Sequence, residues 1–273
     1  MNCKKTILYT ILLIVILLFI KRIIIIYPYL KFFKKVKFPR CLDDIPYLTK
    51  FRCLKYIEDK YYEKYNIEKI TNYICSNETP KKYSGLRFKP FWDLPQINNY
   101  LLKNKETILK ELNSLNFESD FEEIGNNEHN LHSSEYLNNN WTAFHLVKKF
   151  HNVSENQQRC PLTTTIIQNM PNFFGSVFFS ALKGGAKIPK HTGATNINLT
   201  CLLGLKNLEE TVFNVNGEEK KWGDHEIIIF DDSFEHDVIN TGKSTRIILI
   251  IEIFHPDLNE IEREMFQNMY INF

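Results

Sequence analysis

The chain has 273 residues, 44% hydrophobic and 24% charged, with a formal net charge of +2. That length supplies a domain with a substantial core, and the near-balanced charge excludes the concentrated basic surface of a nucleic-acid binder. Its six cysteines include no Cys-x-x-Cys pair, so their spacing encodes neither a zinc site nor a disulfide framework.

Residues 6–20 are apolar apart from Thr6, Tyr9 and Thr10; Lys21 and Arg22 interrupt, and Ile23 to Ile26 resume. About 20 apolar residues span a bilayer. The run predicts a single N-terminal transmembrane helix within residues 1–28, its two cations snorkelling near the far end. Tyr27-Pro-Tyr-Leu-Lys follows in place of the small-residue cleavage site of a signal peptide. The orientation signals conflict. Lys31, Lys34, Lys35, Lys37 and Arg40 outnumber Lys4 and Lys5, which puts the downstream chain in the cytoplasm by the positive-inside rule. Asn-x-Ser/Thr sequons at Asn77, Asn140, Asn152 and Asn198 are usable, as glycosylation sites, only on the lumenal side.

Residues 29–84 read as a basic, Tyr-rich juxtamembrane stalk with a helix from Tyr56 to Tyr73. The texture changes at Phe88-Lys-Pro-Phe-Trp-Asp-Leu-Pro95, and residues 85–273 are assigned to the globular domain. Ile97, Leu101, Ile108, Leu112 and Leu115 recur at helical spacing. Asn116 to Asn140 reads as a surface loop, and Thr-rich Leu162–Ile167 as a strand. From Phe173 the pattern is β throughout, with strands over Phe173–Leu182, Thr195–Leu205, Thr211–Val215, Glu226–Phe230, Glu235–Ile239 and Thr245–Phe254. Asn216-Gly217 and Thr241-Gly242 mark tight turns. Strands this short and this regularly spaced predict a sandwich or small barrel. Leu258, Ile261, Met265 and Met269 close the chain as a helix.

His191 precedes one strand and His236 opens another. Each alone is explained as well by a structural role; two on neighbouring strands of one barrel could meet at a metal. Non-haem iron prefers two histidines and a carboxylate. The carboxylate would usually sit two residues after the first histidine, and that position is Gly193. Arg246 stands in a strand apolar on both faces, hence central and buried. A guanidinium there needs an anion, either a protein carboxylate such as Glu252 or Asp232, or a bound carboxylate gripped at two points. Phosphate-loop, serine-nucleophile, HExxH and dinucleotide patterns are all missing.

These residues resemble the aspartyl/asparaginyl β-hydroxylases. The likeness runs from Lys89-Pro-Phe-Trp92 through Trp141, His191-Thr-Gly-Ala-Thr-Asn196, Leu203-Gly-Leu205, Trp222, Phe230-Asp-Asp-Ser-Phe-Glu-His236 and Arg246 to His255-Pro-Asp-Leu258, in that order. The resemblance implies a mainly β fold: a double-stranded β-helix, jelly-roll or cupin-like, with flanking helices. It implies an Fe(II)- and 2-oxoglutarate-dependent dioxygenase using O2, with iron held by His191 and His236 and no carboxylate. It places Arg246 and Ser180 on the distal carboxylate of 2-oxoglutarate and Trp141 in the same pocket. The expected substrate is an Asp or Asn side chain of a protein; a membrane-lipid acyl chain is the alternative, as is a non-catalytic member. Animal members imply a single-pass anchor with a lumenal catalytic domain and a glycoprotein. The family usually carries Leu-Arg-x-His-Leu-Gly-Leu where this chain reads Leu199-Thr-Cys-Leu-Leu-Gly-Leu205. Thr200 and Leu202 thus stand where an Arg and a His help hold the iron-side end of 2-oxoglutarate.

Overall fold

A computed structural model describes residues 60, 67–124, 140–222 and 226–272. The expected anchor, residues 29–59 and 61–66 of the expected stalk, and residues 125–139 of the expected loop lie outside the described residues. Among the described residues no helix is long and apolar enough to cross a membrane.

The helices are α1 (Ile67–Cys75), α2 (Pro95–Leu112), α3 (Ser154–Arg159), α4 (Pro161–Gln168) and α5 (Glu260–Asn272). The strands are β1 (Phe91–Trp92), β2 (Glu122–Glu123), β3 (Trp141–Lys148), β4 (His151–Asn152), β5 (Phe173–Leu182), β6 (Lys187–His191), β7 (Asn198–Lys206), β8 (Thr211–Val215), β9 (Glu218–Lys221), β10 (Ile227–Phe230), β11 (His236–Asn240) and β12 (Arg246–Phe254). They form a large sheet in the order β1-β10-β7-β12-β5-β3-β2 and a four-stranded sheet in the order β6-β11-β8-β9. From β5 onward the chain passes back and forth between the two sheets, so each winds half of a double-stranded β-helix, or jelly roll.

Alternation along the strands divides the core. On β12 the odd positions Ile247, Leu249, Ile251 and Ile253 join Leu199, Cys201 and Leu203 of β7 against the helix residues Ile97, Leu101, Ile108 and Leu112. The even positions Arg246, Ile248, Ile250 and Glu252 face the space between the sheets. There Ile248 packs with Phe213, Val215, Trp222, Phe230 and Val238. The prediction that β12 is central holds, since β7 and β5 flank it.

Two elements differ from the sequence reading. Leu162–Ile167 is helical, within α4. Pro161 occupies the first turn, where its missing N–H costs nothing. The Glu111 carboxylate accepts the N–H groups of Leu162 and Thr163 at 2.9 and 2.7 Å, satisfying donors that a helix start leaves open. Thr164 and Thr165 bond back to the carbonyls four residues earlier, so β-branched side chains that favour strands are absorbed by the helix.

The second difference is the segment read as stalk. Tyr73, Tyr83 and Phe266 meet edge to face, with centroids 5.1–5.8 Å apart. The Tyr83 hydroxyl donates to Glu262 at 2.8 Å, and Lys81 N–H donates to Ala194 O at 2.8 Å. Residues 67–83 therefore pack on α5 and on the loop that follows β6. One expected tight turn is present: Asn216 and Gly217 both have positive φ, the type I′ requirement of the two-residue β8–β9 hairpin. The other, Thr241-Gly242, lies instead in a longer crossover from β11 to β12, which belong to different sheets.

Candidate active site

The antiparallel register of β6 and β11 sets His191 directly opposite His236. Their ring centroids lie 4.1 Å apart. Each ring turns Nδ1 to a backbone carbonyl two residues earlier: His191 to Pro189 O at 2.8 Å, His236 to Phe234 O at 2.9 Å. A carbonyl only accepts, so both Nδ1 atoms carry the proton and both Nε2 atoms carry the basic lone pair. Burial also holds the His191 pKa below its ordinary value, which favours the neutral, ligating form. This backbone anchoring of the distal nitrogen is how metal-binding imidazoles are oriented.

Among the described residues no group of three or more His, Cys, Asp or Glu is arranged to hold a metal. Gly193, where a carboxylate would complete the set, has its side-chain space taken: a Cβ there would overlap the Asp232 carboxyl. Asp232 is held by Thr200, whose hydroxyl donates to Oδ2 at 3.1 Å, while Oδ1 is buried with no hydrogen-bond partner. The donor set fits a two-histidine metal, with a nearby carboxylate able to hold a water.

A cavity of about 450 Å³ opens between the sheets and takes in both histidines. Arg246 is among its lining. Its residue is 2% exposed, and Nε and Nη1 have no hydrogen-bond partner. Burial pulls its pKa down to about 9, and no carboxylate holds it up. Arg246 and Trp141 flank Leu182 from the two neighbouring strands, and the Trp141 indole N–H donates to Ser180 Oγ at 2.9 Å. Ser180 is fully buried and lines the cavity. The three residues expected around one carboxylate are thus brought together.

The protein carboxylates weighed as partners for Arg246 are engaged elsewhere. Glu252 accepts the Ser176 N–H at 2.5 Å and sits opposite Thr200 in the ladder. Burial raises its pKa, and raises that of Asp232 well above the usual range, with Glu252 and Asp231 adding repulsion. Thr200 and Leu202 both line the cavity with Asn198, as their shared parity predicts.

Sequence reasoning considered Asp232 and Glu252 only as partners for Arg246. It also missed an aromatic part of the lining, where Phe150 stacks on Tyr270 at 5.1 Å and meets Phe174 edge-on at 4.9 Å. Glu252 shares parity with Arg246, and that signal was legible. Phe150 joins the lining from the β3–β4 turn, which holds Lys149 and Phe150 at positive φ, a feature no sequence pattern here announces. The His255-Pro-Asp-Leu258 motif lies outside the cavity lining. His255 is fully buried, bonds the Arg87 carbonyl through Nε2 at 3.1 Å and meets Trp92 edge to face, joining the Lys89–Trp92 motif to the end of β12.

The family model described as Aspartyl/Asparaginyl beta-hydroxylase matches residues 102–256. The chain belongs to this family. It is 30% identical over 138 residues to the aspartate beta-hydroxylase domain-containing protein 2 of Xenopus tropicalis, covering 48% of this chain and 37% of that protein. The human counterpart is 32% identical over 132 residues, covering 45% and 36%. Human aspartyl/asparaginyl beta-hydroxylase is 31% identical over 128 residues, covering 45% of this chain and 17% of that protein. The matched stretch therefore spans little more than a third of the first two relatives.

Proposed function

We propose that the chain is an Fe(II)- and 2-oxoglutarate-dependent dioxygenase that hydroxylates an unactivated C–H bond. One observation carries the reading: a buried guanidinium with unpartnered N–H groups shares a cavity with two imidazoles whose tautomers present Nε2. When bound, ferrous iron with 2-oxoglutarate supplies the oxidative chemistry, in which O2 hydroxylates the substrate as the 2-oxo acid becomes succinate and CO2.

His191 and His236 would hold the metal, each having Nε2 left with its lone pair by the Nδ1 contact to a backbone carbonyl. Arg246 offers Nε and Nη1 to a carboxylate, a charge-assisted contact in a site with little water to compete. Ser180 Oγ already accepts the Trp141 N–H, so its own O–H is available to donate to the same carboxylate. Ile248, Leu202 and Phe213 wall the cavity and exclude water. The Asp232 carboxyl occupies the space that a side chain at Gly193 would need.

The expected substrates remain a protein side chain or a membrane-lipid acyl chain. The expected N-terminal anchor, with the domain on the lumenal side, keeps both within reach. Incubating the chain with Fe(II), 2-oxoglutarate and ascorbate under air should form succinate, and Arg246→Met should not. Equal succinate from both would remove Arg246 from cosubstrate binding.

A further inference from the structure

Two motifs of the sequence, Lys89-Pro-Phe-Trp92 and His255-Pro-Asp-Leu258, contribute nothing to the cavity lining, so the proposed chemistry does not account for them. The short segment Arg87–Pro90 joins them to the site. Arg87 is pinned to the second motif. Its backbone N–H donates to Asp257 Oδ2 at 2.9 Å, and its Nε to the two carboxylate oxygens at 3.0 and 2.9 Å. Its carbonyl accepts the His255 Nε2–H at 3.1 Å. Three residues on, the Pro90 carbonyl accepts the Asp231 N–H at 3.0 Å, and Phe91 pairs with Phe230 in the β1–β10 ladder. The segment is thus fixed at one end to the turn after β12 and at the other to the loop between β10 and β11.

Phe88 stands between these anchors. It is 55% exposed, and a single exposed aromatic ordinarily needs no explanation. This one lies flat on Phe234, with ring centroids 3.8 Å apart and planes 21° from parallel. Phe234 is buried, and its carbonyl is the one that faces the His236 Nδ1 at 2.9 Å. One residue therefore separates a surface ring from the imidazole. His191 is anchored differently: its partner carbonyl, Pro189, belongs to strand β6 itself.

We propose that Phe88 is a positioning residue for His236. The pinned Arg87–Pro90 segment sets the Phe88 ring on Phe234, and the Phe234 carbonyl in turn holds the imidazole with Nδ1 protonated and Nε2 basic. That the imidazole so held is a metal ligand rests on the dioxygenase reading. A site with two histidines and no carboxylate takes half of its protein donors from each imidazole, so the aim of each ring counts for more than in a three-ligand site. The two motifs outside the cavity then act on the chemistry through the orientation of a ring, without touching a reacting group.

The test uses the full chain with its eight histidines isotope-labelled, the parent beside Phe88→Ala and Phe88→Tyr. Without metal, long-range proton–nitrogen correlation spectra report which ring nitrogen of His191 and His236 carries the proton and how fast that proton exchanges. Phe88→Ala should let the His236 Nδ1 proton exchange faster, by up to about tenfold if the whole hydrogen bond is lost, and leave His191 within about twofold of the parent. Calorimetry should show Mn(II) bound about tenfold more weakly, the low end of what loss of support for a ligating imidazole costs. Phe88→Tyr keeps the ring and should match the parent in both readouts. Melting curves of the metal-free chain check folding, and if Phe88→Ala does not fold, Phe88→Leu carries the same comparison. An unchanged His236 proton in Phe88→Ala overturns the proposal. So do equal changes at His191 and His236, which mark a general loosening, and a Phe88→Tyr chain that behaves like Phe88→Ala. The parent function is read separately: a parent chain that binds no Mn(II) sinks the metal site, while a His236 proton that still answers to Phe88 leaves the positioning role standing.

Discussion

A buried guanidinium with unpartnered N–H groups is a standing cost to the fold. Arg246 is in that position, so removing it should improve stability while abolishing its function. Arg246→Met is expected to raise the melting temperature by roughly 2–10 °C, equivalent to about 1–3 kcal/mol at a domain of this size, and to lose 2-oxoglutarate binding. Gly193 makes the converse point. Gly193→Asp would create the usual third ligand on paper, yet the Asp232 carboxyl already fills that space. The variant is expected to melt lower and to gain no Mn(II) affinity, and Asp232→Ala added to it should restore the melting temperature. At this scale the sequence was legible where a residue's neighbours in the chain decide its role. The flanking residues single out His191 and His236, and burial of a lone Arg246 demands an anion. It was silent on which anion, because that depends on Glu252 and Asp232 being engaged by Ser176 and Thr200 from other strands.

Elements built on a continuous apolar run or on helical spacing, such as β12 and α2, lie where the pattern put them. Those held by polar contacts do not announce themselves. α4 is helical despite three threonines because Pro161 and the Glu111 carboxylate fix its start, and β9 consists of Glu218–Lys221, with no apolar residue to mark a strand. The junction after β12 carries a pH prediction. His255 Nδ1 accepts the Asp257 N–H at 3.2 Å, so the ring must stay neutral there. Burial lowers the His255 pKa from the ordinary value of 6.5, with Asp257 acting in the opposite sense. The unfolded chain therefore takes up a proton that the fold refuses as pH drops below that value, and stability falls with it. Asp257, held down to about 2 mainly by its hydrogen bonds to Arg87, keeps its contribution through this window. Urea unfolding should show His255→Gln less stable than the parent at pH 7.5, and the gap should narrow between pH 6.5 and 5. A constant gap would mean that His255 does not titrate between the two states.

At the scale of the whole molecule, the domain extends further towards the N-terminus than composition indicated. Tyr73 and Tyr83 are buried against Phe266, although the surrounding sequence is charged and Tyr-rich like a stalk. Their burial depends on contacts with a helix nearly two hundred residues away, which no local pattern shows. Removing residues 1–50 should leave a folded domain, judged by a cooperative melt. Extending the deletion to residue 84 should abolish it, because it strips a buried aromatic cluster of the kind that costs about 3–5 kcal/mol per large side chain. Sequon occupancy in a eukaryotic host tests the expected lumenal placement of the domain. Asn77 and Asn152 are exposed, whereas Asn198 is buried in β7, so lumenal exposure predicts glycans on the first two and none on Asn198.

If one cavity brings a two-histidine metal together with a carboxylate held by Arg246, titrating 2-oxoglutarate into the Mn(II)-loaded chain by calorimetry shows it most directly, with the parent beside His191→Ala/His236→Ala and Arg246→Met. The parent should bind one equivalent of Mn(II) and then one of 2-oxoglutarate. The double histidine variant should stay folded and lose the metal, and Arg246→Met should keep the metal and lose the 2-oxo acid. A folded double variant that still takes up one equivalent of Mn(II) tightly, or an Arg246→Met variant that binds 2-oxoglutarate like the parent, would contradict the account.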